Sequence, residues 1–429
     1  MSSKTKTTDA KVAGNPGLLP KLRFPGFDKP WSYDPLSKAL KEHKIKNTAG
    51  RDVFSVSMEY GIVNQIELLG RSFAAADTSH YTIGRQFDVV YTKSPLKAFP
   101  YGIVKQCKFN GEVALSPLYG VFTPANPHLG LMIEAYFESP NRSKDFLSPL
   151  CQKGAKNTLQ ITNTTFLSGR LPLPTQPTEQ QRIAECLSSV DNLIAAQARK
   201  VDALKLHKNG LMQQLFPREG ETQPRLRFPE FKNAGEWEED TLENLCTAKI
   251  SYGIVQAGPH IPNGMPYIKS SDLNSELCLA SLARTSDVIA KKYRRSEVMP
   301  GDIVFSLRGN IGVAQIVPKD IPVANLTQGT ARIRTQGPSE FFFQALRSQS
   351  VHGRILAVRK GSTFQEISLE ALRNIRLLHP AIAEQKRVAD CLSTLDTLIT
   401  AQTQKFEALK IHKKGLIQQL FPSMEVVKA

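Results

Sequence analysis

The residues best suited to chemistry in this chain are basic and amide side chains in short polar turns. Lysine and arginine bind phosphate, and arginine, asparagine and glutamine make paired hydrogen bonds with the edges of guanine and adenine. Such turns follow apolar runs in both halves of the sequence. The candidate residues for nucleic-acid contact are Lys93, Ser94, Lys105, Gln106, Lys153, Lys156 and Asn157 in the first half, and Lys269, Ser270, Arg308, Asn310, Lys360, Ser362 and Thr363 in the second.

Sequence motifs for catalysis are missing. The chain has no GxxxxGK[ST] phosphate loop, no GxGxxG after a predicted strand and no Asn-Pro-Pro-aromatic tetrapeptide. Its eight histidines show no HExxH spacing and none lies close to a cysteine, so we expect no metal site. Asp34 with Glu42 and Lys44 imitates the D…ExK pattern of nucleases, a match that arises easily by chance. The absence of catalytic motifs favours a binding protein, and a nuclease that uses Asp34, Glu42 and Lys44 is an alternative.

Length and composition exclude several classes of protein. The 429 residues predict two or three domains, and a hydrophobic content of 41% is enough for their cores. No apolar run approaches the ~18 residues of a membrane span, and the N-terminus has no apolar signal region. Six scattered cysteines favour reduced thiols and a cytoplasmic location. The net charge of +16 indicates a polyanionic partner.

The elements that must position the candidate residues form an internal duplication. Residues 179–217 and 384–422 match at 25 of 39 positions at an offset of 205, which chance does not produce. A second repeat, LRFPGF and LRFPEF followed by a tryptophan, opens each half. The predicted divisions are a flexible basic tail (1–21), region A (22–178), a helix (179–217), a linker (218–224), region B (225–383), a second helix (384–421) and a C-terminal stub (422–429).

The repeated segments have the spacing of a coiled coil. Apolar residues recur at alternating steps of four and three over more than four heptads in each copy. A helix of ~33 residues is roughly 50 Å long, and antiparallel pairing of the two copies would relate the halves by a pseudo-twofold axis. The candidate residues for helix pairing and partner docking are Leu187, Ile194, Gln197, Leu204, Leu211, Leu392, Ile399, Gln402, Leu409 and Leu416.

The positive charge lies in the regions and the tail. Region A carries a net charge of +6, the tail +3 and residues 218–383 a net +4, whereas both repeated segments are near neutral. Short alternating apolar runs broken by Gly and Pro, such as residues 87–91 and 301–305, predict strands in an α+β fold. Basic regions joined to near-neutral helices suit domains that contact phosphate and helices that contact protein.

These motifs together resemble the specificity subunits of type I restriction-modification enzymes. The resemblance covers nearly the whole chain: the LRFPxF…W openings, two variable regions, and two helices of the EQxRxAxxLSxxDxLI…LFP kind. Residues 87–105 and 301–312 also resemble segments of the target recognition domains of that family.

The resemblance implies that each region is a target recognition domain of mixed α/β structure that reads one half of a split, asymmetric site in double-stranded DNA. It implies that the helices form an antiparallel coiled coil, which spaces the halves and docks two modification subunits. Methyl transfer from S-adenosylmethionine and ATP- and Mg²⁺-dependent translocation and cleavage would belong to the modification and restriction subunits, and this chain would be non-catalytic.

One alternative of a different class remains at this point. A coiled-coil scaffold with two globular arms would use the same helices to bind proteins or acidic surfaces and would have no preference for a DNA sequence.

Overall fold

The apolar runs of region A form strands, as their β-branched and aromatic residues predict. The computed structural model describes residues 18–153, 159–361 and 365–422. The strands are β1 Ser32–Pro35, β2 Leu40–Glu42, β3 Val53–Ser57, β4 Gly61–Asn64, β5 Thr82–Arg85, β6 Val89–Thr92, β7 Ile103–Gln106, β8 Glu112–Leu115, β9 Tyr119–Pro124, β10 Gln152–Lys153, β11 Leu159–Gln160 and β12 Arg170–Leu173. The helices are α1 Gln65–Leu69, α2 Pro127–Phe137, α3 Pro140–Leu147, α4 Asn163–Ser168 and the long α5 Pro177–Leu215.

Two four-stranded sheets carry region A. Their orders are β2-β9-β6-β7 and β4-β3-β8-β5, and β1 pairs with β12 beside them. Helix α2 packs on the edge strand β7. Aromatic rings fill the core beneath the first sheet, where Tyr91 stacks on Phe166 at 4.6 Å between ring centroids.

Region B follows the linker and ends at the second long helix. Its strands are β13 Glu238–Thr241, β14 Ser251–Tyr252, β15 Met265–Ile268, β16 Ala283–Thr285, β17 Ile303–Ser306, β18 Ala314–Ile316, β19 Asn325–Leu326, β20 Thr330–Ile333 and β21 Arg376–His379. Its helices are α6 Asp287–Lys292, α7 Ser339–Arg347, α8 Gln349–Ala357 and α9 Leu369–Arg373, followed by α10 Ile382–Leu420.

The two regions share one strand plan, although their sequences do not align by eye. The order β14-β20-β17-β18 repeats β2-β9-β6-β7, and β16-β15-β19 repeats β4-β3-β8. The parallel pairs also agree, because β3 runs beside β8 as β15 runs beside β19. Region A adds β5 at the edge of its second sheet. The fold is therefore a mixture of helix and strand, built twice.

One turn shows how a shared backbone can hide behind different residues. The carboxylates of Asp88 and Asp302 each accept a hydrogen bond from the backbone N–H three residues earlier, at 2.8 Å in both regions. The residue before each aspartate has a positive φ, 73° at Phe87 and 89° at Gly301. Glycine reaches this conformation without strain whereas phenylalanine does not, so the same turn is marked by glycine in only one region.

The described chain divides into two units, and each unit includes parts of both long helices. Unit 1 contains the described residues of Met1–Gln197 and of Lys405–Ala429, and unit 2 contains those of Ala198–Gln404. Each region therefore packs with the N-terminal half of the helix that follows it and with the C-terminal half of the other helix. In unit 1 Ile183 and Leu187 share a core with Ile417 and Leu420.

In each region, the LRFP motif contacts the start of the long helix that follows the region. Arg23 of the first LRFP motif donates to the buried Glu179 through Nε and Nη2, at 2.7 and 2.9 Å. Arg227 donates to the buried Glu384 in the same way, at 2.8 and 2.7 Å. A two-point arginine–carboxylate contact fixes direction as well as distance. The opening motif thus attaches each region to the first turn of its helix.

Candidate nucleic-acid interface

The candidate residues of region B that lie in the described chain come together at one end of its sheets. Arg308 and Lys360 both form β-bridges with Glu366, so the loop after β17 lies against the loop after α8. Asn310 donates to Asn274, at the end of the turn that begins with Ser270. Lys269 opens that turn. We call this group of loops, residues 269–275, 307–312, 327–330, 359–361 and 365–367, loop cluster B.

A glycine allows two of these loops to approach closely. A Cβ on Gly329 would lie 3.1 Å from Ser270 Oγ and 3.9 Å from Arg308 Cβ. The backbone of the turn between β19 and β20 therefore lies beside both side chains. A polar backbone and two polar side chains converge on one small surface.

Two cations of loop cluster B, Arg308 and Lys269, are paired with carboxylates near the surface. Arg308 Nε lies 2.6 Å from Glu366 Oε2, and both side chains are about half exposed. Lys269 Nζ lies 3.8 Å from Asp272 Oδ1. Exposed pairs of this kind contribute only about 0–1 kcal/mol, because water and salt screen them. These cations can exchange a carboxylate for a phosphate or a base edge at little cost.

The corresponding end of region A carries Lys93 and Ser94. Thr92 pairs with Tyr119 at the last rung of β6 and β9, as Ser306 pairs with Thr330 in region B. Lys93 and Ser94 follow that rung and are exposed. Partial burial lowers the pKa of Lys93, and the positive charge of Lys44 adds to this effect whereas the carboxylate of Glu42 opposes it. Lys93 therefore occupies the same end of its sheet as loop cluster B does in region B.

Lys105 and Gln106 lie inside unit 1, away from that end. Lys105 Nζ is buried between Glu134 and Glu138, at 3.3 and 3.7 Å. Gln106 Nε2 donates to the carbonyls of Phe87 and Pro127, at 3.2 and 2.9 Å. The role visible for these two residues is to hold α2 on the edge strand β7. The structure does not bring them together with Lys93.

One further candidate, Lys153, lies in the described part of region A. Lys153 stands in β10, which pairs with β11, and this hairpin occupies the place that Lys360 and Glu366 take in region B. Four candidates, Lys156, Asn157, Ser362 and Thr363, lie outside the described residues.

Sequence reasoning missed two exposed apolar side chains at the turns of region A. Tyr60 is 62% exposed and Leu118 is 70% exposed. They lie at the tips of the turns between β3 and β4 and between β8 and β9, at the same end as Lys93. A search for basic and amide residues cannot find them. The signal available was a turn sequence, Ser116-Pro117, followed at once by an apolar residue.

The candidate helix residues line the inner faces of α5 and α10. Leu187 lies in the core of unit 1 and Leu392 in the core of unit 2, both fully buried. Gln197 is buried as well. The others are partly buried: Ile194, Leu204, Leu211, Ile399, Gln402, Leu409 and Leu416.

Each unit contains one lysine–aspartate pair between its two helix segments. Lys413 Nζ lies 2.6 Å from Asp191 in unit 1, and Lys208 Nζ lies 2.6 Å from Asp396 in unit 2. The two lysines are equivalent positions of the repeat, since their numbers differ by the offset of 205. The same is true of the two aspartates. The lysine comes from one copy of the repeat in unit 1 and from the other copy in unit 2, so the two pairs exchange the roles of the copies.

The surroundings of the two lysines differ. Burial lowers the pKa of Lys413, but the carboxylates of Glu138 and Asp191 outweigh burial, and the pKa is raised above its ordinary value. Burial also lowers the pKa of Lys208, and there Asp396 offsets it only in part because Arg347 adds a like charge. Lys413 thus contacts two carboxylates, whereas Lys208 contacts one and has the like charge of Arg347 nearby.

Of the residues in the nuclease alternative, Glu42 and Lys44 form a salt bridge at 3.4 Å, whereas Asp34 has a different partner. Asp34, in β1, bonds to Lys38 at 2.7 Å, whereas Glu42, in β2 of a different sheet, accepts from Asn163 at 2.9 Å. Within the described ranges, no group of three or more His, Cys, Asp or Glu side chains is placed to hold a metal ion. None of the described helices is long and apolar enough to cross a lipid bilayer.

Comparison with known proteins agrees with the resemblance that the repeated helices indicate. Residues 234–410 match the family model of the type I restriction modification DNA specificity domain. The chain is 25% identical over 282 residues to the putative type I restriction enzyme MjaX specificity subunit of Methanocaldococcus jannaschii, covering 64% of each chain. It is 30% identical over 159 residues to the EcoBI specificity subunit of Escherichia coli, covering 36% of this chain and 33% of that protein. The matches thus span less than two thirds of these relatives.

Solved structures show the same fold at low sequence identity. The S subunit of a type I restriction-modification system from M. genitalium superposes with a TM-score of 0.57 at 13% identity, over 94% of this chain and 99% of that one. A chain from a study of complex assembly and conformational transition of the type I R-M system gives a TM-score of 0.52 at 16% identity, over 92% and 99%. The predicted resemblance is confirmed, and the mixed helix and strand content is that of these chains.

Proposed function

We propose that the chain is a specificity subunit of the type I restriction-modification kind, the non-catalytic subunit that reads DNA sequence in such an enzyme, as its matches to the DNA specificity domain and to specificity subunits support. The observation that carries the proposal is the repetition of one strand plan in two regions whose loops differ. Two copies of one fold with different side chains at the same end can bind two different short sequences. Specificity in DNA binding comes from base contacts made by such side chains, whereas phosphate contacts supply position.

Each region would then read one half of an asymmetric, bipartite site in double-stranded DNA. Loop cluster B offers Lys269, Arg308, Asn310 and Lys360, whose side chains are exposed and can bind phosphates or base edges. Region A offers Lys93 and Ser94 at the corresponding end. Different residues at equivalent positions favour different half-sites.

The two long helices would form an antiparallel coiled coil that spaces the regions and docks two modification subunits. The exchanged lysine–aspartate pairs within each unit support antiparallel pairing. The identity of the two copies at 25 of 39 positions supports one kind of partner that binds twice. S-adenosylmethionine would be bound by the modification subunits, and ATP and Mg²⁺ by the restriction subunits. The assembly would act in the cytoplasm.

The test is sequencing of methylated bases in cells that express the partner subunits, with and without this chain. We expect methylation at one bipartite motif to disappear when the chain is deleted and to return when it is restored. A Leu392→Asp variant, which places a charge in the core of unit 2, should fail to restore it, whereas the exposed Leu398→Asp at the same helix should keep region B folded. An unchanged methylation pattern after deletion would refute the proposal and leave a scaffold without DNA preference.

A further inference from the structure

Two exposed apolar side chains lie beside the basic loop of region A, where the sequence would lead one to expect only polar contacts. The register of the sheet places them. Thr92 pairs with Tyr119, so Lys93 and Leu118 both lie one residue beyond the last rung of the β6–β9 pair. Leu118 is 70% exposed, the highest value among the large apolar side chains described in region A.

The second apolar side chain, Tyr60, lies in the turn that follows β3, and β3 is the neighbour of β8 in the sheet. Strand β3 runs parallel to β8, with Phe54 beside Leu115, so both strands reach the same end of the sheet. The turn that follows β3 carries Tyr60, which is 62% exposed. The turns after β3 and after β8 thus place Tyr60 and Leu118 at the same end of region A as Lys93.

Hydrogen bonds within both turns fix their backbones, so the positions from which these side chains project are set before any ligand arrives. Ser116 O accepts from Tyr119 N at 3.0 Å, Ser116 Oγ accepts from Leu118 N at 3.3 Å, and Pro117 fixes φ between them. Ser57 Oγ accepts from Tyr60 N at 3.2 Å. A pre-ordered apolar group loses little conformational entropy when it binds.

Region B has different chemistry at the equivalent position. Ser306 pairs with Thr330 as Thr92 pairs with Tyr119, so Gly329 stands where region A has Leu118. Around Gly329 lie Ser270 and Arg308, which are polar. The same point of the fold is therefore apolar in region A, where it carries Leu118, and polar in region B, where Ser270 and Arg308 lie around Gly329.

We propose that Leu118, with Tyr60 beside it, is a specificity-determining contact of region A that recognises the 5-methyl group of a thymine in the major groove. Thymine is the one base that presents a methyl group there, and apolar side chains are the groups that contact it. Lys93 and Lys97, both exposed in the loop after β6, would hold the adjacent phosphates. The inference rests on the proposed function, because it names what one region reads.

The experiment compares thymine with deoxyuracil, which lacks only the methyl group. The assembled complex with its modification subunits is titrated with duplexes that carry the methylated motif, each thymine replaced in turn by deoxyuracil. At one position in one half-site we expect the wild-type complex to lose about fourfold in affinity, the effect of one buried methyl group. The Leu118→Ala complex should lose nothing further at that position.

Two further variants separate recognition from folding. Leu118→Met keeps an apolar tip and should retain the sensitivity to deoxyuracil. Leu69→Ala removes another exposed leucine of region A, in the helix that follows β4 away from this end, and should behave as the wild type does.

The inference is overturned if no deoxyuracil substitution weakens wild-type binding, if the half-site of region A contains no thymine, or if Leu118→Ala keeps full sensitivity. Failure of the proposed function looks different, since the wild-type complex would then show no bipartite motif at all.

Discussion

The buried pair of Arg227 and Glu384 gives the sharpest prediction about stability. Both side chains are almost fully buried, and two short hydrogen bonds join them at 2.8 and 2.7 Å. Glu384→Gln keeps the shape of the side chain and removes its charge, so the guanidinium of Arg227 stays buried without a counter-ion. Breaking one side of a buried pair costs about 3–5 kcal/mol. Arg227 keeps the carbonyls of Ala234 and Gly235, so we expect the lower end, about 3 kcal/mol.

The assay is unfolding in urea followed by tryptophan fluorescence, which the chain allows for each unit separately. Its two tryptophans, Trp31 and Trp237, are both buried, one in unit 1 and one in unit 2. In a Trp31→Phe background the signal reports unit 2 alone. With a denaturant slope of about 2 kcal/mol per molar, Glu384→Gln should lower the midpoint by roughly 1.5 M.

The matched control is the exposed pair of Arg387 and Glu230, which also joins the start of α10 to the opening motif, at 3.1 Å. Glu230→Gln should change stability by no more than about 0.5 kcal/mol. The double variant Arg227→Met with Glu384→Met should be more stable than Glu384→Gln, because no charge is left buried. The reasoning would be refuted if Glu384→Gln and Glu230→Gln lowered the free energy of unfolding equally. It would also be refuted if the double variant were less stable than Glu384→Gln.

Three more predictions concern other parts of the chain. Lys413→Met should destabilise unit 1 by about 2–4 kcal/mol, more than Lys208→Met destabilises unit 2, since Lys413 neutralises two carboxylates; equal losses in urea unfolding would contradict this. Burial raises the pKa of Cys246 to about 12, so at pH 9 iodoacetamide should label the exposed Cys278 at least about 100-fold faster, as mass spectrometry of the peptides would show. Lys269→Ala should weaken DNA binding uniformly across sequences and reduce the slope of log affinity against log salt by about one, and a loss confined to one base position would count against a phosphate contact.

Local sequence patterns predict the two long helices and several strands of the fold. The heptad spacing predicts both long helices, and they are present at Pro177–Leu215 and Ile382–Leu420, starting two residues before each repeated segment. The alternating runs near residues 87–91 and 301–305 predict strands, and strands stand at Val89–Thr92 and Ile303–Ser306. Both patterns arise from neighbours along the chain, so sequence alone reveals them.

The shared strand plan of the two regions could not be read from the sequence. The turn before Asp88 contains Phe87 at a positive φ where the other region has Gly301, so the usual glycine signal is missing from one copy. Backbone hydrogen bonds maintain a sheet whatever the side chains are, and for that reason two regions can keep one topology while their residues diverge.

The candidate site was likewise divided by tertiary structure. The sequence analysis predicts that Lys93 and Lys105 both lie in polar turns, but Lys105 lies in strand β7. Because Thr92 pairs with Ile103 and Val89 with Gln106, the two lysines lie toward opposite ends of one hairpin. Lys105 then meets Glu134 and Glu138, which are about thirty residues further along the chain.

The sequence by itself determined the duplication and indicated the two helices and the resemblance to type I specificity subunits, because these depend on periodicity and on motifs that are local. Only the tertiary structure decided which loops share an end of a sheet, which lysine is buried against carboxylates, and where Leu118 stands beside Lys93. Those placements depend on strand order and register, in which residues distant in sequence become neighbours, and no local pattern specifies them.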